Sequence, residues 1–164
     1  YVPNLFHKCL SLSIDKASQS EQDVSLNRRV AAFALNIEDT APTNLTSLAF
    51  ACQGGGHRLN GLTGYADQAE EWTYAFNLST YAGQSNFTVT IFSFLTSDEA
   101  TMDFDVTARN ADGGTIQSRD FIDVPMKMNR LTRYSGKFFT GPTSTTAFNL
   151  TLENPDWEEE NYTY

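Results

Sequence analysis

Val124-Pro125-Met126-Lys127-Met128-Asn129-Arg130-Leu131-Thr132-Arg133-Tyr134-Ser135-Gly136-Lys137-Phe138-Phe139 is the stretch on which the fold is read. A strand ends over Ile122 to Val124. Pro125 fixes φ and carries no N–H, so it belongs at an edge or a crossover. A second strand opens near Leu131 and sets Thr132, Tyr134 and Phe138 on one parity. Gly136 interrupts that parity, which predicts a bulge or a close backbone approach. No helix-start signal occurs in the stretch. A strand that ends, turns through proline and re-enters a sheet carries the chain between the two sheets of a sandwich.

Both sides of this stretch read as strands. Upstream, Asn110-Ala111-Asp112-Gly113-Gly114 is the strongest hairpin signal, because glycine supplies the positive φ that such a turn requires. It joins strands over 101–109 and 115–124, the first with Met102, Phe104, Val106 and Ala108 on one face. Phe87 to Leu95 is the most apolar strand, with Phe92 and Phe94 on the face opposite Phe87, Val89 and Ile91. Trp72, Tyr74, Phe76 and Leu78 alternate with Thr73, Ala75 and Asn77, and Tyr81 to Asn86 is a turn. Leu45 to Cys52 places Leu48, Phe50 and Cys52 inward. Gly54-Gly55-Gly56 predicts a flexible turn, His57 to Leu62 a short return strand, and Gly64 to Glu71 an acidic loop. Val24 to Glu38 reads as a long central strand, buried on both sides in its middle, with a kink where the apolar parity flips. A helix competes there through Ala31, Ala32 and Ala34. Asp39 to Asn44 is a turn around Pro42. Lys8 to Ile14 alternates as a half-buried strand with Leu10 and Leu12 inward, and Ala17 to Glu21 is a loop. Downstream, Phe148, Leu150 and Leu152 make a final strand. The expected core is Leu10, Leu12, Phe33, Leu35, Phe50, Trp72, Tyr74, Phe76, Val89, Ile91, Phe104 and Val106.

The sum is about nine short strands with little helix: an all-β chain forming an antiparallel β-sandwich. Residues 1–153 form one domain and 154–164 an acidic C-terminal tail carrying Trp157. The 164 residues, 40% hydrophobic and 13% aromatic, suffice for a core without staples. A net charge of −9 argues against nucleic acid as a partner. Of eleven basic residues, Arg119, Lys127, Arg130, Arg133 and Lys137 share one window, read as a solvated strand face, with a local anionic partner as the alternative. No apolar run reaches membrane-spanning length.

Two segments carry a family resemblance. The pattern V-P-x-K-x-N-R-L-T-R-x-x-G-x-F-F over 124–139 resembles a late segment of the fimbrillin-type surface proteins of Bacteroidales. Val24-Ser25-Leu26-Asn27-Arg28-Arg29-Val30-Ala31-Ala32-Phe33 resembles that group's early strand, and the likeness covers roughly residues 22 to 140. The resemblance implies a transthyretin-like sandwich and a role as a pilus shaft, tip or anchor subunit. It implies export to the cell surface or outer membrane, with any lipid anchor upstream of Tyr1. The implied partners are other fimbrial subunits or surface proteins, with a host glycan or protein as a further candidate. Asp39-Thr40-Ala41 resembles the short O-glycosylation motif of this bacterial group.

The chemistry-bearing residues support no reaction. Cys9 and Cys52 fall on opposite parities relative to their apolar neighbours, so they are expected unpaired. His7-Lys8-Cys9 is too tight for a zinc ligand pair, and Cys52 and His57 flank a glycine loop. Gly54-Gly55-Gly56-His57-Arg58 lacks the Lys-Ser/Thr ending of a phosphate loop. Asn110-x-Asp112-Gly113 lacks the terminal Glu of a calcium loop. No Gly-x-Ser-x-Gly elbow occurs, and two histidines in or near flexible segments support no triad. Trp72, Tyr74 and Tyr81 could stack on a sugar, although alternation makes the first two core residues. No catalytic, cofactor or metal residue is assigned. The expected function is non-enzymatic: a structural or anchoring fimbrial subunit that assembles by β-strand addition. The alternative is a carbohydrate- or protein-binding β-sandwich module of a surface lipoprotein.

Overall fold

The computed structural model describes residues 1–13, 23–141 and 148–153. Ten strands are present among them: β1 (Phe6–His7), β2 (Asn27–Arg28), β3 (Ala31–Ile37), β4 (Ser47–Gly55), β5 (Glu70–Asn77), β6 (Phe87–Ser93), β7 (Glu99–Arg109), β8 (Thr115–Lys127), β9 (Leu131–Gly136) and β10 (Asn149–Glu153). The one other regular element among the described residues is a 3-10 turn, Ser79–Tyr81. Eight strands form two four-stranded sheets, ordered β10-β9-β3-β6 and β5-β4-β7-β8, and β1 pairs with β2. Pairing is antiparallel except that β3 and β9 run parallel.

β3 is the central strand that the apolar run 30–35 predicts. Phe33, Leu35 and Ile37 point into the sandwich, where Phe33 stacks on Phe104 at 4.3 Å and meets Phe121 edge-on at 5.5 Å. Ala32 and Ala34, on the other face, are fully covered. Their cross-strand neighbours Phe92, Leu131, Thr90 and Arg133 are larger, and alanine lies below their level. The helix alternative is excluded. The strand is shorter than Val24 to Glu38, however: strand structure lapses at residues 29–30 between β2 and β3, and Val24 and Leu26 are exposed.

The β7–β8 hairpin forms at the expected turn. Asn110 and Gly113 close it with backbone bonds, Gly113 takes φ 79°, and Asn110 Oδ1 accepts the Gly114 N–H at 2.7 Å. β8 does not stop at Val124; it runs to Lys127 with Pro125 inside it. That proline is tolerated because β8 pairs only with β7 among the described strands, so the missing N–H costs no ladder bond. The chain changes sheets one turn later, at Met128–Arg130, where Asn129 has φ 58°.

The bulge lies elsewhere than Gly136. Met102 faces Val124 while Phe104 faces Phe121, so Ile122 and Asp123 together oppose Asp103. Asp123 adopts φ 53°, and its N–H donates to Asp103 Oδ1 at 2.8 Å. The extra residue reverses the parity of β8: Arg119 and Phe121 point inward before it, Val124 and Met126 after it. Gly136 marks the close approach instead, since a Cβ there would lie 2.8 Å from the Phe148 ring.

Other expectations need correction. Lys8 to Ser13 forms no strand, and Leu10 and Leu12 are exposed, because no strand among the described residues covers their face. Ile14 and the 17–21 loop lie outside the described residues. Gly54 to Gly56 is not a turn. β4 continues through Gly55, and Gly56 bridges to Phe94. A Cβ on Gly55 would stand 2.2 Å from Ser93 Oγ and 2.6 Å from Met102 Sδ, so the glycine is a packing requirement. His57 to Leu62 forms no return strand; β5 begins at Glu70. In β10 Leu150 and Leu152 are exposed, and only the preceding Phe148 is buried. The rest of the expected core is inside, with Tyr74 and Phe76 half-buried against each other. The tail 154–164, Trp157 included, lies outside the described residues.

Candidate functional site

Three constructions stand out. Asp39 follows β3 and aims its carboxylate at the segment leaving β9. Oδ1 accepts the Phe138 N–H at 2.8 Å; Oδ2 accepts the N–H of Phe139 at 2.9 Å and of Thr140 at 2.6 Å, together with the Thr140 hydroxyl at 2.9 Å. From the other sheet, Arg119 donates Nε and a terminal nitrogen to the Phe138 carbonyl at 3.0 and 2.8 Å and a further bond to the Gly141 carbonyl at 2.8 Å. A carboxylate thus collects the N–H groups of one short segment and a guanidinium its carbonyls. Arg119 is 1% exposed, which corrects its assignment to a solvated basic face. Its parity matches Phe121, and that was the available signal. Ala41 is buried beside this lock while Thr40 is exposed.

The second construction is a groove of about 400 Å³ between the β8 and β10 edges, lined by Glu99 to Thr101, Pro125 to Lys127, and Leu152. Its floor is apolar, made by Ala100, Met126, Pro125 and Leu152. β10 closes only on β9 among the described strands and is latched by Arg133, whose Nε and terminal nitrogen reach the Glu153 carboxylate at 2.7 and 3.2 Å. That hydrogen bond, aided by the arginine's charge, holds the Glu153 carboxyl below the usual range.

A charged recess of about 410 Å³ adjoins the groove, sharing Glu99 and Lys127 with it and adding Asn27 to Arg29, Asp98, Met128 and Asn129. Lys127 pairs with Glu99. Arg28 lies 4.9 Å over the Phe6 ring and Arg29 5.5 Å over the Tyr65 ring. The Tyr65 hydroxyl donates to Asp98 at 2.9 Å. Sequence reasoning placed Arg28 and Arg29 only as strand residues, because the segments meeting here are far apart in the chain.

The remaining residues weighed for chemistry are scattered. His7 shares a hydrogen bond with the Gly61 carbonyl at 2.8 Å, whereas His57 and Arg58 both reach Glu70, at 2.8 and 3.4 Å. Cys9 is exposed and Cys52 buried, and both are free. Burial, with Asp105 nearby, pushes the Cys52 thiol up to about 12, so it is an inert core group. Burial, then Asp120 and Asp103, raises the Asp105 carboxyl, and burial raises Tyr134. Trp72 belongs to the core, Tyr74 packs against Phe76 and Tyr1, and Tyr81 stacks on Phe87, so the three form no shared platform. Asp112 belongs to the hairpin turn. No group of three or more metal-ligating side chains is found among the described residues.

The model of the family of unknown function DUF6562 matches residues 5–163, and the chain belongs to that family. Comparison with curated proteins gives no match. Two solved structures are similar at low level. One is titled "Trapped Toxin", with TM-score 0.30 and 12% identity over 79% of this chain and 24% of that chain. The other is the human-specific toxin intermedilysin, with TM-score 0.27 and 12% identity over the same shares. The chain therefore spans about a quarter of the length of these toxins. At such scores the likeness informs neither fold nor function.

Proposed function

We propose that this member of the family is a non-enzymatic structural or anchoring subunit of a cell-surface fimbria that joins its neighbours by β-strand addition. The observation that carries the reading is the apolar groove flanked by the β8 and β10 edges. Added strands gain main-chain bonds along a free edge and set register by filling side-chain pockets. The two edges are unequal. β8 carries a bulge, a proline and Lys127, devices that discourage pairing. β10 presents Leu150 and Leu152 uncovered, which makes it the receptive side. The resemblance supplies the cell-surface setting and the transthyretin-like class of sandwich. A sugar-binding module would call for a contiguous exposed aromatic face; among the described residues, Tyr1, Phe6 and Tyr81 lie against Tyr74, Arg28 and Phe87 respectively.

The acidic tail 154–164 follows β10, whose Leu152 lines this groove, and it serves either to add to a neighbour or to fold back on its own basic segment. Deleting it tests which. A truncated chain that keeps its melting temperature but no longer associates supports donation between molecules. A chain that loses stability and still associates makes the tail a closing strand. Substituting Leu150 and Leu152 with Lys tests the groove itself: association unchanged in that variant refutes the reading.

A further inference from the structure

We infer that the recess where Arg28, Arg29 and Lys127 converge is a binding site for a small oxyanion, a carboxylate, sulfate or phosphate group. This goes beyond the assembly reading and does not depend on it. The chain as a whole carries −9. Among the described residues, the lining of the recess carries Arg28, Arg29 and Lys127 against Asp98 and Glu99. Lys127 is engaged by Glu99, and Asp98 accepts the Tyr65 hydroxyl. No ion pair engages Arg29 among the described residues.

Arg29 has donors to spare. A guanidinium offers five N–H groups. Among the described residues, its hydrogen bond is one long contact of 3.5 Å to the Met128 sulfur, a weak acceptor. Its Nε is buried without an acceptor, against the bare face of Gly64, where a Cβ would come within 3.0 Å. Buried donors without acceptors cost free energy, and an incoming oxyanion would relieve part of that cost.

The site is also pre-formed. The two guanidinium planes rest on Phe6 and Tyr65, which limits their rotation. The walls are tied by backbone bonds: Arg29 N–H to the Leu5 carbonyl at 2.9 Å, Met128 N–H to Asp98 at 2.8 Å, and Asn129 N–H to Val30 at 2.9 Å. Little ordering remains to be done when a ligand arrives. Forked guanidinium donors match the planar or tetrahedral oxygens of an oxyanion better than a monatomic anion. About 410 Å³ is the size of a small-ligand pocket.

The test is a titration of the ¹⁵N-labelled chain with sodium phosphate, sulfate or acetate, each matched to sodium chloride at equal ionic strength. The Nε–H resonances of Arg28 and Arg29 and the Asn129 amide are followed. Saturable shifts with at least one oxyanion, absent with chloride, are expected, and the anion saturating at the lowest concentration identifies the preferred group. Arg29→Gln should weaken that binding roughly 10- to 100-fold, the equivalent of one hydrogen bond to a charged group. Lys127→Gln, on the rim, should weaken it several-fold and serves if Arg29→Gln does not fold. Shifts that grow linearly with every salt including chloride, or a binding curve unchanged in Lys127→Gln, overturn the assignment.

Discussion

Replacing Asp39 with Ala should be among the most destabilising single changes outside the core. The substitution removes four accepted hydrogen bonds, from the N–H groups of Phe138, Phe139 and Thr140 and from the Thr140 hydroxyl. A hydrogen bond to a charged group contributes about 1.5–3 kcal/mol when its donor cannot turn to water. Phe138 is fully buried, so its N–H loses nearly the whole amount; Phe139 is half-buried and Thr140 exposed, so water recovers most of theirs. Roughly 2 kcal/mol for Phe138 and 1–2 kcal/mol for the others gives a loss of about 3–4 kcal/mol. Natural domains have about 5–15 kcal/mol in total. With a urea m-value near 2 kcal/mol per M, the unfolding midpoint should fall by about 1.5–2 M, followed by tryptophan fluorescence. Asp39→Asn keeps one acceptor but turns an NH₂ toward N–H groups, so it should lose more than half as much. A midpoint shift below about 0.3 M for Asp39→Ala, at unchanged m, would show that the 138–141 segment is held by its own packing.

Three further outcomes follow from the geometry. Asp105 lies directly across from Asp120, and its carboxyl is raised by burial and by Asp120 and Asp103, so the folded state holds that proton more tightly than the unfolded one. Its charge therefore costs stability above the folded-state value, and the cost disappears as pH falls to the ordinary carboxylate range. Asp105→Asn should raise the melting temperature by about 1–2 °C at neutral pH and by less in acid; an equal gain at both pH values would refute the charge origin. Glu153 has the opposite sign: its lowered carboxyl stabilises above the unfolded-state value and loses that contribution as pH falls through the folded-state one. Amide exchange in β10 should accelerate over that window, and Arg133→Gln should abolish the pH dependence. Gly136→Ala should cost about 1–3 kcal/mol in urea unfolding because its Cβ enters the Phe148 ring, and the cost should shrink in a Phe148→Ala background; strict additivity would mean that the ring moves aside freely.

Some of this architecture is legible in local pattern. Strict alternation over Trp72 to Leu78 and Met102 to Ala108, the Asn110–Gly114 turn, and the apolar run through Phe33 each specify an element and a face. These signals depend only on side-chain period and backbone chemistry, which nearby residues carry in full. The same logic failed where a distant neighbour decides. Leu10 and Leu12 alternate as well as any strand, but among the described residues no strand pairs with their segment, and both are exposed. Gly54 to Gly56 has turn composition, yet Ser93 and Met102 from other strands demand glycine within β4.

The candidate sites divide in the same way. The Pro125 segment announced a passage between sheets, and the structure moved that passage only to Met128–Arg130. The bulge at Ile122–Asp123 carries no glycine, so nothing local betrayed it, and one extra residue put Val124 and Met126 on the same inward face as Arg119 and Phe121 although their parity differs. Arg28 and Arg29 become a recess only because residues near 65, 98 and 128 are folded against them. The sequence by itself determined the class, the principal strands and their inward faces, since periodicity is written residue by residue. Tertiary structure alone decided which faces are covered, which charges are buried and which donors meet, because those depend on contacts between segments that no local pattern records.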